Sequence, residues 1–132
     1  MSVIKATTLS NLAGSKTVPM DTVVDGSAKA WVNFNGTGTV AIRASFNVSS
    51  ITDNGVGDYT VNFTNALADA NYSAAIGQNS TFSGGSIYSF FCALENSASR
   101  TSSQFRLTTS NTNGSGGLYS SDYSYISVSV FR

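Results

Sequence analysis

Asp53 and Asp58 are carboxylates whose spacing would allow acid–base chemistry. They flank the run Asn54-Gly55-Val56-Gly57, and two carboxyl groups held close together can cleave a glycosidic bond. Glu95 and Asp122 form an alternative pair. In a glycine-bearing run, however, Asp is favoured because its side chain accepts hydrogen bonds from the backbone of the same turn. We therefore expect Asp53 and Asp58 to shape a turn between two strands rather than to catalyse a reaction.

Histidine is absent from the 132 residues. The usual general base of serine and cysteine hydrolases and the commonest zinc ligand are therefore missing. The oxygen ligands between Asp53 and Asp58 lack the twelve-residue pattern and closing glutamate of an EF-hand, so calcium binding at this run stays an open question. We predict that the protein is not an enzyme and that it holds no cofactor.

Three tyrosines and a polar loop near the end of the sequence suggest sugar binding. The rings of Tyr119, Tyr123 and Tyr125 can stack on a pyranose ring, and the amide of Asn113, in the polar loop Ser110–Gly117, can hydrogen-bond its hydroxyl groups. In a second interpretation these tyrosines fill a sheet face or an interface between subunits. Tyr119, Tyr123 and Asn113 are thus candidate glycan contacts.

Charged side chains make up 11% of the residues, and seven basic residues balance seven acidic ones. An average soluble domain has roughly 25%, so hydroxyl and amide groups must supply the polar surface. Because the sequence has no basic cluster, neither nucleic acid nor an anionic membrane is an expected partner. The single cysteine, Cys92, is expected to be a small buried hydrophobe. Without a signal peptide or a membrane-spanning run, we expect synthesis in a cytosol and no membrane insertion.

Short runs in which every second residue is apolar predict the strands that must position these groups. The clearest runs are Ala28–Phe34, Thr39–Phe46, Tyr59–Phe63 and Tyr125–Phe131, and a shorter run places Phe105 and Leu107 inward. Glycine- and asparagine-bearing turns separate them. The turn Asn35–Gly38 predicts a hairpin between the first two runs, and the first three runs are interpreted as a meander. About seven or eight such strands are typical of an antiparallel, jelly-roll-like β-sandwich. We predict one all-β domain over residues 26–132, in which Ala66–Ala70 has some helical character but supports one turn at most and connects two strands.

Trp31 points away from the aliphatic stripe of its own run, because it alternates with Ala30, Val32 and Phe34. A large aromatic side chain there either covers a second layer of the same domain or lies in an interface between subunits, where Trp is enriched. The following run is expected to place four apolar side chains on one face: Val40, Ile42, Ala44 and Phe46.

The run Ile87–Leu94 is nearly continuous in apolar residues. This pattern predicts a strand that is buried on both faces, one against the domain core and the other against a second partner. Tyr88 and Phe90 are two residues apart and are therefore expected on the same face of that strand. We assign Trp31, Tyr88 and Phe90 to an oligomer interface.

Residues 1–25 are small and hydroxyl-bearing and include the only proline, Pro19. Val18-Pro19-Met20 is expected to be extended, because proline restricts the residue before it and cannot donate a ladder hydrogen bond. Such a segment is either a frayed terminus or an arm that orders on a neighbouring subunit or a larger structure. We assign Val18, Pro19 and Met20 to anchoring by this N-terminal arm.

The segment Gly26–Phe63, with the specific core KAWVNFNGTGTVAIR, resembles a segment of tail-fibre and other virion appendage proteins of tailed bacteriophages. The resemblance covers about a third of the sequence closely, and Tyr72–Gly77 and the final strand fit it loosely. It implies a β-rich, trimeric structural module displayed on the virion, in some cases at a receptor-binding tip. With about 25 residues ahead of the segment, we expect a short appendage rather than a long fibre shaft.

These observations together predict a bacteriophage virion structural protein, either a short tail fibre or a head-fibre or decoration appendage. It is expected to be made in the host cytoplasm, to form a homotrimer and to attach to other virion proteins through residues 1–25. The loops Asn79–Gly85 and Ser110–Gly117 would face outward and contact the host surface. The alternative is a carbohydrate-binding adhesin tip that recognises host glycan. Low net charge and surplus apolar strand surface favour permanent assembly.

Overall fold

Antiparallel strands dominate the fold. The computed structural model describes residues 5–79, 100–112 and 117–132, and the backbone of 90–94. The first part holds three elements: β1 (Thr8–Ser10), β2 (Thr17–Pro19) and α1 (Met20–Gly26). The remaining elements form two larger sheets: β3 (Ala28–Asn35), β4 (Ala41–Phe46), β5 (Val48–Gly55), β6 (Asp58–Phe63), β7 (Ser73–Gln78), β8 (Phe90–Leu94), β9 (Gln104–Thr112), β10 (Leu118–Ser120) and β11 (Ile126–Phe131).

Sheet 1 has the strand order β4-β3-β11-β7. The predicted hairpin between β3 and β4 is confirmed, because the two strands pair antiparallel across the turn that contains Gly36 and Gly38. β11 pairs with β3 along one of its sides and with β7 along the other. It therefore links β3, the first strand of the sandwich, to β7.

Sheet 2 runs from β5 through β6 to β9, which has partners on both edges. Leu107 and Thr108 of β9 pair with β6 and also with β8, so these two strands must lie on opposite edges of β9. β10 pairs with Ser110–Thr112, where β8 also pairs, and so continues the line of β6. Sheet 2 is therefore four strands wide, with β6 and β10 in one row.

The two sheets pack face to face around a single apolar core, which confirms the predicted all-β sandwich. Alternate residues of β3, β6, β9 and β11 point inward, as the period of two requires. The most deeply enclosed side chains are Ala30, Val32, Phe34, Tyr59, Val61, Phe105, Leu107, Ile126, Val128 and Val130. Aromatic rings meet edge to face within the core, with Phe34 and Tyr59 centroids 5.2 Å apart.

The predicted meander is wrong, because the chain changes sheets at Asn47. β3 and β4 belong to sheet 1, whereas β5 and β6 form a hairpin in sheet 2. Asn47 has a φ of 54°, which ends the extended run. Its side-chain amide donates to the carbonyl oxygens of Lys29 and Asn65, both at 3.1 Å. These bonds hold the crossover against both sheets.

A β-bulge in β4 overturns the predicted face of its second half. Asn33 pairs with Ala44 but Phe34 pairs with Ile42, so Arg43 is an extra residue on the β4 side. An extra residue reverses the alternation that follows it. Ile42 therefore still packs on the core, whereas Phe46, which pairs with Trp31, is 54% exposed. Ala44 is also exposed.

Two predictions about local structure are wrong. Val18 and Pro19 lie in β2, but Met20, which the sequence predicts to be extended with them, begins α1. Proline permits this because its own backbone is extended, with φ −59° and ψ 142°, at the position before the helix. The first residues of the predicted loop, Ser110–Thr112, belong to β9 because they pair with β10. Ala66–Ala70 connects β6 to β7, as predicted, and contains no helix.

The N-terminal elements lie outside the two large sheets. β1 and β2 pair only with each other within the described part of the chain. The Met20 amide donates to the Thr7 carbonyl at 2.9 Å, which connects α1 to this hairpin. None of the α1 residues is buried.

Candidate association surface

The outer face of sheet 1 carries a group of exposed aromatic side chains. Trp31 and Phe46 are directly opposite each other on β3 and β4, and Phe131 of β11 lies diagonal to Trp31. Their exposed fractions are 39%, 54% and 38%. Tyr125, which precedes β11, is 53% exposed. We refer to Trp31, Phe46, Tyr125 and Phe131, together with Arg43, as the aromatic face.

Small side chains separate these rings. Across the sheet, Trp31 pairs with Ser129, and Ser129 pairs with Ala75 of β7. The side chains in this row therefore become smaller toward the β7 edge of the sheet. The Asn33 amide donates to the Ser127 hydroxyl at 2.9 Å on the same side. The aromatic rings therefore stand above a flat surface of hydroxyl, amide and methyl groups.

The formal charges on this face are positive. The Arg43 guanidinium lies over the Tyr125 ring, 4.1 Å from its centroid, which is close enough for a cation–π interaction. Lys29 donates to the carbonyl oxygen of Val24 and to the Ser27 hydroxyl. No acidic residue occupies an outward position in the four strands of sheet 1.

The outer face of sheet 2 is different in chemistry. On its described strands β5, β6 and β9, the outward side chains are hydroxyls, amides and one ion pair, and several bond to one another. Asn62 donates to the hydroxyl oxygens of Ser50 and Thr52, at 3.1 and 3.0 Å. Asn54 donates to Thr60 Oγ1 at 2.9 Å. Leu118 and Tyr119 of the short strand β10 are exposed. Strands β5, β6 and β9 therefore present a polar outer surface, whereas sheet 1 presents an aromatic one.

The carboxylates considered for catalysis have structural partners. Asp58 accepts hydrogen bonds from Arg106, with Nε to Oδ1 at 2.7 Å, and forms a salt bridge with it. The bonds from the Arg106 guanidinium hold the pKa of Asp58 below its usual value. Asp53 accepts from the Gly55 amide at 3.0 Å, which is the turn role predicted for it. Within the described residues, no three Asp, Glu or Cys side chains are grouped as a metal site.

Asp122 belongs to a different group, at the end of the sandwich where both sheets meet. Its Oδ1 accepts from the Gly57 amide at 2.7 Å and from the Tyr59 hydroxyl at 2.6 Å. Burial and the neighbouring Asp122 carboxylate raise the pKa of Tyr59. Glu95, the partner considered for Asp122 in a catalytic pair, lies outside the described residues. Asp122 therefore joins the turn between β5 and β6 to the segment before β11.

The three tyrosines considered for sugar binding are not brought together. Tyr119 lies on β10 and is 53% exposed. The prediction for Tyr123 is wrong. Tyr123 is a core residue with 8% of its surface exposed, so its ring cannot stack on a sugar. Tyr125 lies on the aromatic face of the other sheet. Asn113 lies outside the described residues.

Of the residues assigned to an oligomer interface, Trp31 is on the aromatic face. Its 39% exposure contradicts the interpretation in which its own domain covers it. Phe90 is the first residue of β8, and its backbone pairs with that of Asn111. Tyr88 lies outside the described residues, as do most of the two loops expected to face outward, 80–85 and 113–116.

Sequence reasoning misses two components of this surface. It assigns Phe46 to the core, because the bulge at Arg43 leaves no clear signal in the pattern of apolar residues. It misses α1 because the helix has only seven residues, although Met20, Val23 and Val24 show the i, i+3, i+4 spacing of a helix face. Val23 and Val24 are 37% and 52% exposed.

An open depression of about 330 Å³ lies beside the aromatic face, at the crossover from β4 to β5. Phe46, Asn47, Thr64 and Asn65 line it. Asn47 is engaged in the crossover, since its Oδ1 accepts from the Asn65 backbone amide at 2.8 Å. The depression combines one aromatic ring with amide and hydroxyl groups.

The chain was compared with protein-family models, with curated proteins and with solved structures. None of the three comparisons finds a match. Within the described residues, no helix is long and apolar enough to span a membrane. The geometry and chemistry of this surface are therefore the guide to its function.

Proposed function

We propose that this protein is a structural component of a tailed-bacteriophage virion, a short fibre or decoration protein that associates as a homotrimer through the aromatic face. The observation that carries the proposal is the contrast between the two outer faces. Trp31, Phe46 and Phe131 are exposed on one sheet, whereas strands β5, β6 and β9 of the other sheet present hydrogen-bonded polar groups. The resemblance of Gly26–Phe63 to virion appendage proteins supports the virion setting.

The exposed aromatic area is large enough to matter energetically. Four rings that each have roughly 200 Å² of surface, and expose two-fifths to a half of it, leave on the order of 350 Å² in contact with water. The largest apolar patch on a typical soluble monomer is roughly 300–600 Å² and is often functional, so this area is within the range of functional surfaces. Covering it would stabilise an assembly by roughly 9 kcal/mol before the entropy of association is subtracted. A stable interface buries about 800 Å² per partner, so further elements must contribute.

The neutral composition is consistent with permanent assembly. Asp58 and Asp69 are each paired with an arginine, and the net formal charge of the chain is zero. Little electrostatic repulsion therefore opposes close contact between copies. Closed cyclic symmetry is the usual way for identical subunits to cover such a surface.

Light scattering coupled to size exclusion tests the self-association. The wild-type chain is expected to elute as a trimer at micromolar concentration, and Trp31→Ala is expected to shift it toward monomer. Thr60→Ala is the matched control, because Thr60 lies on the outer face of the opposite sheet. A monomeric wild-type chain would contradict the proposal. Mass spectrometry of purified phage particles that encode this chain tests its presence in the virion.

A second candidate function is recognition of host glycan, and the depression favours it. Its aromatic ring and amide groups are the kinds of group that bind neutral sugars, and its 330 Å³ is at the small end of the ligand-pocket range. Thr64→Val is expected to lower binding on a glycan array without changing the oligomeric state. Tyr119→Ala tests the exposed tyrosine in the same assay. Unchanged binding by both variants would remove these two sites.

A further inference from the structure

The short helix α1 has an apolar side that its own chain leaves exposed. Met20, Val23 and Val24 occupy positions i, i+3 and i+4, which lie on one side of a helix. The two valines are 37% and 52% exposed, and no residue of α1 is buried. A helix of seven residues is too short to be stable in water by itself. Hydrogen bonds from Met20 to Thr7 and from Lys29 to the Val24 carbonyl hold its two ends, but they leave the valines exposed, so a surface that covers the valines would stabilise the helix further.

The hairpin before α1 does not supply that surface. Every described residue from Lys5 to Thr17 is exposed, including Leu9 at 48% and Leu12 at 108%. An isolated two-stranded hairpin is itself only marginally stable. The N-terminal arm and the aromatic face therefore both expose apolar side chains that a partner would cover.

The charges on α1 and on the aromatic face are complementary. Asp21 and Asp25 are exposed on the helix. Neither forms a salt bridge within the described residues, although Asp25 is close enough to Arg132 to interact with it electrostatically. Arg43 is the exposed cation of the aromatic face, and its contact there is with the Tyr125 ring. A helix with two acidic side chains and an apolar side matches a surface that has aromatic rings and a guanidinium but no acid.

We propose that α1 of one copy packs on the aromatic face of the next copy, with Val23 and Val24 against the rings of Trp31 and Phe46 and its carboxylates near Arg43. This inference rests on the proposed function, because it names the contact through which the homotrimer forms. The contact is heterologous, since two different surfaces meet. Three such contacts related by a three-fold axis close a ring.

Charge reversal in two separate full-length variants tests the contact. Asp21→Lys/Asp25→Lys makes α1 and the face both basic, and Arg43→Glu makes both acidic. Each variant alone is expected to associate at least about tenfold more weakly than wild type, because like charges would meet at the contact. A single chain that combines Asp21→Lys, Asp25→Lys and Arg43→Glu is expected to return to within about threefold of wild type, because opposite charges then meet at all three contacts of the ring. Lys16→Glu in the hairpin is the control and should behave as wild type.

Cross-linking locates the contact directly. A photoreactive amino acid replaces Val24 in the full-length chain, and a mixture of 14N- and 15N-labelled copies is irradiated. Cross-links from α1 of one isotope to β3, β4 or β11 of the other are expected. Their absence, or cross-links only within one copy, would overturn the inference.

The outcomes separate this inference from the proposed function. If the wild-type chain is monomeric, both fail. If the wild-type chain is trimeric but the charge-reversed variants associate as wild type does, or the cross-links reach only sheet 2, the trimer stands and the helix contact is refuted. If the chain with the combined reversals recovers and the cross-links reach sheet 1, both are supported.

Discussion

At the residue scale, the turn between β5 and β6 depends on Gly57. Its φ is 66°, and a Cβ atom there would lie 2.3 Å from the Thr109 carbonyl oxygen and 2.8 Å from the Ser121 amide nitrogen. Both neighbours are backbone atoms held by hydrogen bonds, since the Ser121 amide donates to the Thr109 carbonyl at 3.1 Å. Gly57 is required both for its backbone conformation and for the lack of a side chain.

Gly57 and Gly38 provide a matched test of this explanation. Gly38 has a similar φ of 64°, but a Cβ atom added there would have no other atom within 4 Å. Gly38→Ala should lower the free energy of unfolding by about 1 kcal/mol, from backbone strain alone. Gly57→Ala should lower it by at least ~3 kcal/mol, because strain and overlap add. Urea unfolding measures both, and equal losses would contradict the explanation.

The ion pair between Asp58 and Arg106 predicts a dependence of stability on pH. The pKa of Asp58 is lower in the folded chain than in the unfolded chain, chiefly because of the Arg106 hydrogen bonds. The folded state therefore gains stability above the usual carboxyl pKa of about 3.9 and loses it as the pH falls through the folded value. The contribution of this pair should be constant at neutral pH.

Unfolding free energies measured between about pH 6 and pH 2 check this prediction. Asp58→Asn should show a shallower loss of stability with acid than wild type. Arg106→Gln should have the same effect, because it removes the group that lowers the pKa. Arg132 lowers the pKa of Asp69 to about 2, so part of the acid sensitivity should remain. Identical slopes in all three proteins would refute the role of the pair.

At the scale of elements, the crossover at Asn47 decides which sheet each hairpin joins. Asn47 adopts a φ of 54° and holds the Lys29 and Asn65 carbonyl oxygens through its amide. An uninterrupted strand would have made β5 a continuation of β4 within sheet 1. Instead, Asn47 redirects the chain into sheet 2. Its backbone is left-handed, and its side chain makes three hydrogen bonds to the backbone of Lys29 and Asn65.

Two substitutions at Asn47 separate its hydrogen bonds from its backbone conformation. Asn47→Gly keeps the conformation accessible and removes the side-chain bonds, which should lower the free energy of unfolding by about 2 kcal/mol. Asn47→Ala removes the same bonds and adds backbone strain, so its loss should be larger by about 1 kcal/mol. Thermal or chemical unfolding distinguishes the two. An alanine variant as stable as the glycine variant would show that the conformation is not strained.

At the scale of the whole molecule, the outer surfaces of the two sheets differ in chemistry. Polar side chains on β5 and β6 of sheet 2 bond to one another, whereas sheet 1 leaves Trp31, Phe46 and Phe131 in contact with water. In the proposed assembly, stability should depend on protein concentration, because association favours the folded chain by mass action. An obligate assembly would couple folding and association completely.

A concentration series measures this coupling. Raising the concentration of the wild-type chain about 100-fold should raise Tm by several degrees, since linkage adds roughly 2.7 kcal/mol when the partner exceeds Kd by that factor. Trp31→Ala should make Tm nearly independent of concentration. Thr60→Ala, on the polar face, should retain the wild-type dependence. A wild-type Tm that does not change with concentration would contradict self-association.

Much of the fold was predictable because alternation is a local property of a strand. The inward positions of β3, the last strand β11 and the Phe105 and Leu107 pair in β9 follow from the period of two, and the structure confirms them. The outward position of Trp31 follows from the same period. The turn role of Asp53 is also local, because its side chain bonds within its own turn.

The composition and periodicity of the sequence by themselves determined the all-β class, the hairpin turn and the outward Trp31, because each depends on neighbours a few residues away. Only the tertiary structure decided that Phe46 joins Trp31, that Tyr123 enters the core and that β5 leaves sheet 1. A bulge changes which face a side chain occupies, and pairing between distant strands decides which sheet receives it. Neither event leaves a periodic signal, since both depend on contacts that form after the strands do.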